Sequence, residues 1–194
     1  MNVTIKNNLL EFGRIRGEFE TSVSTSTAQN GMTLDVSGNT IHRNNEAEIE
    51  LTYYNYGIPL DSTSITVSNN NVQGRNTSGD GIYLNSFQSP ASWVINNNTV
   101  HSTRYGIRLS SERSSKWNIE NNTIDSIQNQ GIYKYNGNAK IINNTIEYAG
   151  RYTWGTDYTG VFLNSSANYP ATDTLKNNTI RYNGAWAYTN PGNI

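Results

Sequence analysis

Few residue types in this sequence can do chemistry, and their spacing narrows what that chemistry is. Cysteine is absent, which removes disulfides, thiolate metal sites and a cysteine nucleophile. Two histidines are present, His42 and His101. They fall in one series with Gln73, Asp125, Glu147 and Arg181, each at the same place in a recurring phrase. As a metal or acid–base site the series is poor, because Gln73 separates the histidines and zinc needs several converging ligands. As a solvated face it is ordinary, with opposite-charge contacts such as Glu147 to Arg181. Other candidates sit in loops, where functional residues concentrate on rigid scaffolds. RNTSGD at 75–80 brings Arg75 and Asp80, and SSERSSK at 110–116 brings Glu112, Arg113 and Lys116. YAGRYTWGTDYT at 148–159 carries Arg151, Trp154 and Asp157.

The elements that position these residues come from an internal repeat. An apolar pair, two Asn, a Thr and an apolar residue recur as VSGNTIH at 36–42, VSNNNVQ at 67–73 and VINNNTVH at 94–101. They return as NIENNTID at 118–125, KIINNTIE at 140–147 and TLKNNTIR at 174–181, with TIKNNLL at 4–10 a weaker copy. The closing apolar residues are Leu10, Ile41, Val72, Val100, Ile124, Ile146 and Ile180, spaced 31, 31, 28, 24, 22 and 34 residues apart. A second phrase follows most copies: GIYL at 81–84, GIRL at 106–109, GIYK at 131–134, GVFL at 160–163 and GAWA at 184–187, with GIPL at 57–60 as an earlier member. The stretches alternate with a period of two, and none carries a helical period. Short strands that return to the same sense every few tens of residues describe a coil. Stacked coils place like on like, so Asn over Asn gives amide ladders.

Composition agrees. Asparagine is the commonest residue at 31, with 13 Tyr and 4 Trp, a poor helix mixture but not a disordered one. Charged residues are 15% of the 194, below the usual ~25%. A net charge of −1 gives no case for nucleic acid or an anionic membrane surface. No apolar run approaches the ~18 residues of a membrane span, and the first 30 residues lack a signal-peptide apolar core. The N-x-T strings at Asn97, Asn121, Asn143 and Asn177 read as ladder positions rather than glycosylation acceptors. A single Thr row, Thr40 to Thr179, lacks the second regular row that an ice-binding face wants.

These NNT-apolar turns and Gly-apolar-x-apolar strands resemble the right-handed parallel β-helix repeats of the pectate-lyase-like superfamily, which includes polysaccharide lyases, some glycoside hydrolases, epimerases and phage tailspikes. The reading covers 1–194 as one all-β domain. It is a right-handed single-stranded parallel β-helix of about six to seven coils with Asn ladders, an irregular first coil over 1–33 and regular coils over 34–190. The resemblance implies a sugar-binding face along the Gly-apolar-x-apolar strand. Carried over, one outward column holds Pro59, Tyr83, Arg108, Tyr133, Phe162 and Trp186. A second holds Asn85, Ser110, Tyr135, Asn164 and Tyr188, and the loop bearing Trp154 overhangs them. Pyranose rings stack on aromatic faces while hydroxyls bond to polar tips, and a ~4.8 Å repeat suits a linear polymer.

Catalysis on that face has two candidate forms. A uronate lyase would use Arg108 as the neutralising cation and Tyr83 or Tyr133 as the base, with Arg113 or Lys116 assisting. A glycosidase would use Asp80 and Asp157, but these lie about three coils or ~14 Å apart, too far for an acid–nucleophile pair. A lyase or epimerase is therefore favoured over a hydrolase. Calcium is not indicated and no other cofactor is expected, because acids are sparse on the stripe. The expected partner is a polysaccharide, with no nucleic acid and no membrane insertion. The chain starts almost at once with the strand-like Val3-Thr4-Ile5 and stops at TNPGNI, with Pro191 as a strand breaker but no obvious cap, so it reads as a piece of a longer protein, or one whose ends are covered by neighbouring domains or a homotrimer. The expected location is extracellular, on a cell surface or a virion. The alternative is a structural segment of a tailspike or bacterial surface protein.

Overall fold

The structure, a computed structural model, describes residues 2–21, 32–42, 46–55, 63–75, 79–87, 91–112, 115–150, 159–183 and 186–189. All regular elements among them are strands. They form three parallel sheets of seven strands each, in which every neighbour comes from the adjacent turn of the chain. This is a right-handed parallel β-helix of seven coils. The first sheet runs from Asn2–Lys6 to Thr174–Lys176 and the second from Leu9–Glu11 to Thr179–Arg181. The third holds Ile15–Thr21, Ile49–Asn55, Asp80–Phe87, Tyr105–Ser111, Ile132–Tyr135, Thr159–Asn164 and Trp186–Thr189.

The register follows the sequence repeat. Leu10, Ile41, Val72, Val100, Ile124, Ile146 and Ile180 align in one column of the second sheet. Alternation sends Ile41, Val72, Val100, Ile124 and Ile146 into the interior, where each is fully buried. Trp93 and Trp117, on adjacent strands of the first sheet, are buried with ring centroids 5.3 Å apart. The glycine opening each third-sheet phrase has a steric reason. A Cβ on Gly81 would lie 2.7 Å from the Gly106 carbonyl oxygen, and one on Gly131 equally close to that of Gly160. Neighbouring coils approach too closely there for any side chain.

The two asparagines of each turn have different jobs, which corrects the sequon reading. The first, Asn97, Asn121, Asn143 or Asn177, is exposed at φ near 56° and turns the chain. It tolerates the left-handed region better than most residues. The ladder belongs to the second: Asn8, Asn39, Asn70, Asn98, Asn122, Asn144 and Asn178. Asn98 donates its backbone N–H and its Nδ2 to Oδ1 of Asn122, both at 2.9 Å. Asn122 does the same to Asn144, and its Nδ2 also donates to the Ile95 carbonyl, again at 2.9 Å. Such a network, buried from coil to coil, pairs the amide groups of the turn with one another.

Three expectations change. The described part of the first coil, residues 2–21, supplies a strand to each sheet in register with the second coil. GIPL at 57–60, with Pro59, lies outside the described residues, and the second-coil member of the third sheet is another segment. It is IELTYYN at 49–55, with Ile49, Leu51 and Tyr53 buried. GAWA enters in another register: Trp186 pairs with Thr159 and Tyr188 with Val161, so neither joins the columns of Phe162 and Asn164. The last inward place of GIYK is also unusual. Lys134 stands between Leu109 and Leu163, fully buried, and its Nζ donates to the Gly137 carbonyl at 2.9 Å and to Asp173 at 2.8 and 3.0 Å. An isolated buried ammonium would be prohibitive; a bidentate carboxylate makes it tolerable.

Candidate functional site

The outer face of the third sheet carries the sequence-derived candidates. Its main outward column is Arg16, Glu50, Tyr83, Arg108, Tyr133 and Phe162, one residue per coil. The second is Glu18, Thr52, Asn85, Ser110, Tyr135 and Asn164. Tyr83, Arg108, Tyr133 and Phe162 thus stand together as expected, and so do Asn85, Tyr135 and Asn164. Trp154 and Asp157, with Arg113 and Arg151, lie outside the described residues. Lys116 opens a strand of the first sheet, and Arg75 stacks over the Phe12 ring at 5.4 Å, so neither belongs to this face.

Arg108 is the hub. Its Nη1 donates to Asp80 Oδ2 at 3.2 Å, and its guanidinium lies over Tyr83, Tyr105 and Tyr133 at 5.0, 5.2 and 5.9 Å. Burial works against its charge, but the attraction and hydrogen bond of Asp80 outweigh this and hold its pKa above the ordinary value. Asp80 lies not in a loop but at the start of its strand, only 5% exposed. It also accepts from Arg104 at 3.4 Å. Burial is the main influence on the Tyr83 phenol and raises its pKa; Arg108 opposes, while Asp80 and Glu50 add to the rise. A phenol held protonated donates hydrogen bonds and serves poorly as a base. Of the groups expected for a uronate lyase, Arg108 is therefore an ion-paired guanidinium and Tyr83 a phenol held in its protonated form.

The ring faces are also committed. Tyr133 and Phe162 are parallel within 4° at 5.4 Å, so they cover one another's faces, and Phe162 is only 8% exposed. Tyr135 differs. It is 38% exposed, its neighbours in the column are Ser110 and Asn164, and no ring stands beside it among the described residues.

A depression of about 280 Å³ adjoins the hub, lined by Arg14, Glu46, Ala47, Glu50, Asp80, Tyr83 and Arg104. Arg14 pairs with Glu46 and approaches Glu50 at 3.5 Å, and Arg16 approaches Glu50 at 3.7 Å. Glu46 and Glu50 were missed because the second-coil strand lacks the opening glycine, and Arg14 and Arg104 because each stands just before its third-sheet strand. The buried alternation of Ile49, Leu51 and Tyr53 was the available signal. The depression holds three carboxylates, yet each has a guanidinium partner. None stands in the apolar, partnerless surroundings that keep a glycosidase acid protonated.

On the second sheet, His42, Gln73, His101, Asp125, Glu147 and Arg181 do form one column, extended at its start by Glu11. His101 Nδ1 lies 3.1 Å from Asp125 Oδ2, and Arg181 bonds Glu147 at 2.6 Å.

Fold and face together define a parallel β-helix with a polar, ring-bearing outer sheet. The family model described as "Periplasmic copper-binding protein (NosD)" matches residues 19–193, and the chain belongs to this family. No curated protein and no solved structure matches it. Copper, which that description implies, takes thiolate, thioether or imidazole ligands. The whole chain offers no Cys, two His and two Met. Met32 is 2% exposed in the core, and His42 and His101 stand on second-sheet strands with that of Gln73 between them. No group of three or more His, Cys, Asp or Glu able to hold a metal occurs among the described residues. Among the described residues, then, no set of donors is brought together that fits copper.

Proposed function

We propose that this chain is a carbohydrate-binding β-helix working outside the cytoplasm, and that it recognises a neutral, hydroxyl-rich polysaccharide rather than cleaving one. The observation that carries this is the depression beside Tyr83, where guanidinium, carboxylate and phenol groups converge on a rigid sheet. Sugar hydroxyls both donate and accept, so they can bridge Glu46 or Glu50 to Arg14 or Arg104 without needing a free charge. Tyr135 supplies the uncovered ring face on which a pyranose stacks, flanked by Ser110 and Asn164. A polyuronate suits the face less well, because Arg104 and Arg108 are already bound to Asp80. The periplasmic description of the family supports a place in the cell envelope.

A glycan array probed with the 194-residue chain tests the reading. Neutral polysaccharides should bind. Arg104→Ala and Tyr135→Ala should each weaken binding about tenfold, the ~1.4 kcal/mol expected for a lost polar or stacking anchor. Ultraviolet absorbance on any acidic polymer should stay flat, since a rise would report unsaturated uronate and a lyase. Absence of binding across the array would instead favour a structural β-helix, a reading the covered Tyr133–Phe162 faces already suit.

A further inference from the structure

A second ring-bearing surface stands at the margin of the second sheet, where the chain leaves its strands. The positions there are equivalent from coil to coil. Each donates its backbone N–H to the carbonyl of the last strand residue one coil on: Gly74 to His101, Ser102 to Asp125, Ser126 to Glu147 and Tyr148 to Arg181. Three successive coils thus place a small residue at the margin, and the next coil places a large one. Tyr148 is held at φ 52°, in the left-handed region that a bulky side chain seldom enters. Burial does not offset that cost, since Tyr148 remains 42% exposed. Groups kept in such backbone conformations collect at ligand sites.

One face of the ring is covered. Tyr182 lies over it, parallel within 14° and with centroids 5.1 Å apart, about one coil spacing, so the two rings stack along the coil axis. The other face of Tyr148 is turned toward the coil of Ser126, and no ring covers it among the described residues. Ser126, Ser102 and Gly74 leave a slot beside this face about 14 Å long, three coils at ~4.8 Å each. Asp125 and Glu147 flank it, as the outward strand residues that immediately precede Ser126 and Tyr148. Asp125 accepts from Ser126 Oγ at 3.1 Å and lies 3.1 Å from His101 Nδ1, and Glu147 accepts from Arg181 at 2.6 Å. Each carboxylate already has a nitrogen partner and so offers a cation little, but its remaining lone pairs accept from hydroxyls.

We propose that this slot is a second sugar site. One pyranose ring of a neutral glycan stacks its C–H face on the free face of Tyr148, over Ser126, and its hydroxyls bond Asp125 and Glu147. The inference takes its ligand class from the function proposed above, but it stands on a different sheet and shares no residue with that site.

Isothermal titration with neutral hexasaccharides of glucose, mannose and xylose tests it on the wild type and four variants. Tyr148→Asn removes the ring and suits the left-handed turn. Ser126→Tyr fills the slot with a ring that stacks on Tyr148. Both should unfold near the wild-type midpoint, the first because it relieves the backbone and the second because it adds a stack; if one fails to fold, the other decides. Wild type should bind one of these sugars at two sites per chain. Tyr148→Asn and Ser126→Tyr should each weaken one site at least tenfold and spare the site that Arg104→Ala and Tyr135→Ala weaken. A single site that survives both Tyr148→Asn and Ser126→Tyr overturns this inference and leaves the third-sheet reading standing. A single site lost in both, yet kept in Arg104→Ala and Tyr135→Ala, upholds the inference and removes the third sheet from the function. Two sites that both variants leave unchanged overturn the inference alone, and no binding of any hexasaccharide overturns both.

Discussion

The Asn turn and the outer face of the third sheet run the length of the same helix on the same coil spacing, and they spend that spacing differently. In the turn one residue type repeats, and the ladder side chains Asn70, Asn98, Asn122 and Asn144 are each 1% exposed. Each Oδ1 accepts twice from the coil before it. On the outer face the residue changes at every coil, from Arg16 and Glu50 through Tyr83 and Arg108 to Tyr133 and Phe162. Neighbours there neutralise charges and cover rings, but hydroxyls, guanidinium edges and the Tyr135 face stay in reach of solvent. Identical stacking uses up every hydrogen bond and builds the fold. Varied stacking leaves capacity for a ligand.

The contrast can be broken at its strongest point. Asn122→Ala removes the acceptor of two Asn98 bonds and three donated bonds, all buried but the one to the Glu120 carbonyl. Denaturant unfolding should show a loss of about 3 kcal/mol, summed from groups left unsatisfied at ~1–3 kcal/mol each. The adjacent Asn121→Ala should lose only about 1 kcal/mol, for placing Ala at φ 56°. Equal losses for the pair would abolish the division of labour.

Lys134 sharpens the inner side of the comparison. Lys134→Met alone strands the Asp173 carboxylate and should cost about 3 kcal/mol, whereas Lys134→Met/Asp173→Asn should fall within about 1 kcal/mol of wild type. Burial, the largest influence on Lys134, holds its pKa below the ordinary 10.5, against the pull of Asp173. The folded chain thus gives up this proton more readily than the unfolded chain. Stability gains as pH rises from the folded pKa toward 10.5, and the gain should vanish in Lys134→Met when unfolding is followed against pH.

On the outer face the effects on stability should be small and those on binding larger. Tyr135→Ala should change unfolding by less than about 0.5 kcal/mol, as for an exposed surface residue, while losing the glycan as stated above. The smallest effect belongs to the second sheet. His101 and Asp125 expose 41% and 38% of their side chains, so His101→Ala should cost ~0–1 kcal/mol and less at high salt. A larger effect would mark that column as more than a solvated face.

The readable parts were those carried by repetition. The apolar anchors from Leu10 to Ile180 fixed the second sheet, and the GIYL, GIRL, GIYK and GVFL strings fixed the third over Asp80–Asn164. Four outward residues, Tyr83, Arg108, Tyr133 and Phe162, followed. Where repetition weakened, reading failed. The strand at 49–55 has no opening glycine, and GIPL imitated it nearby. GAWA offers alternating small and large residues that fit two registers equally well. The assignment of ladder to first or second Asn also failed, since in most coils the two are the same residue type and only φ and burial tell them apart; Gly38, which takes the first place in the second coil at φ 67°, was the available signal.

By itself, then, the sequence determined the architecture. A phrase that recurs with period-two alternation can bury its apolar residues only by stacking on copies of itself, whatever the loop lengths between. Tertiary structure decided the state of the outward groups, because that depends on contacts between residues 22 to 34 positions apart. Arg108 met Asp80 and became an ion-paired hub, Tyr133 lost a ring face to Phe162, and Arg14 and Glu50 came beside Tyr83. Local pattern sets which way a side chain points; only the neighbouring coil sets what it finds there.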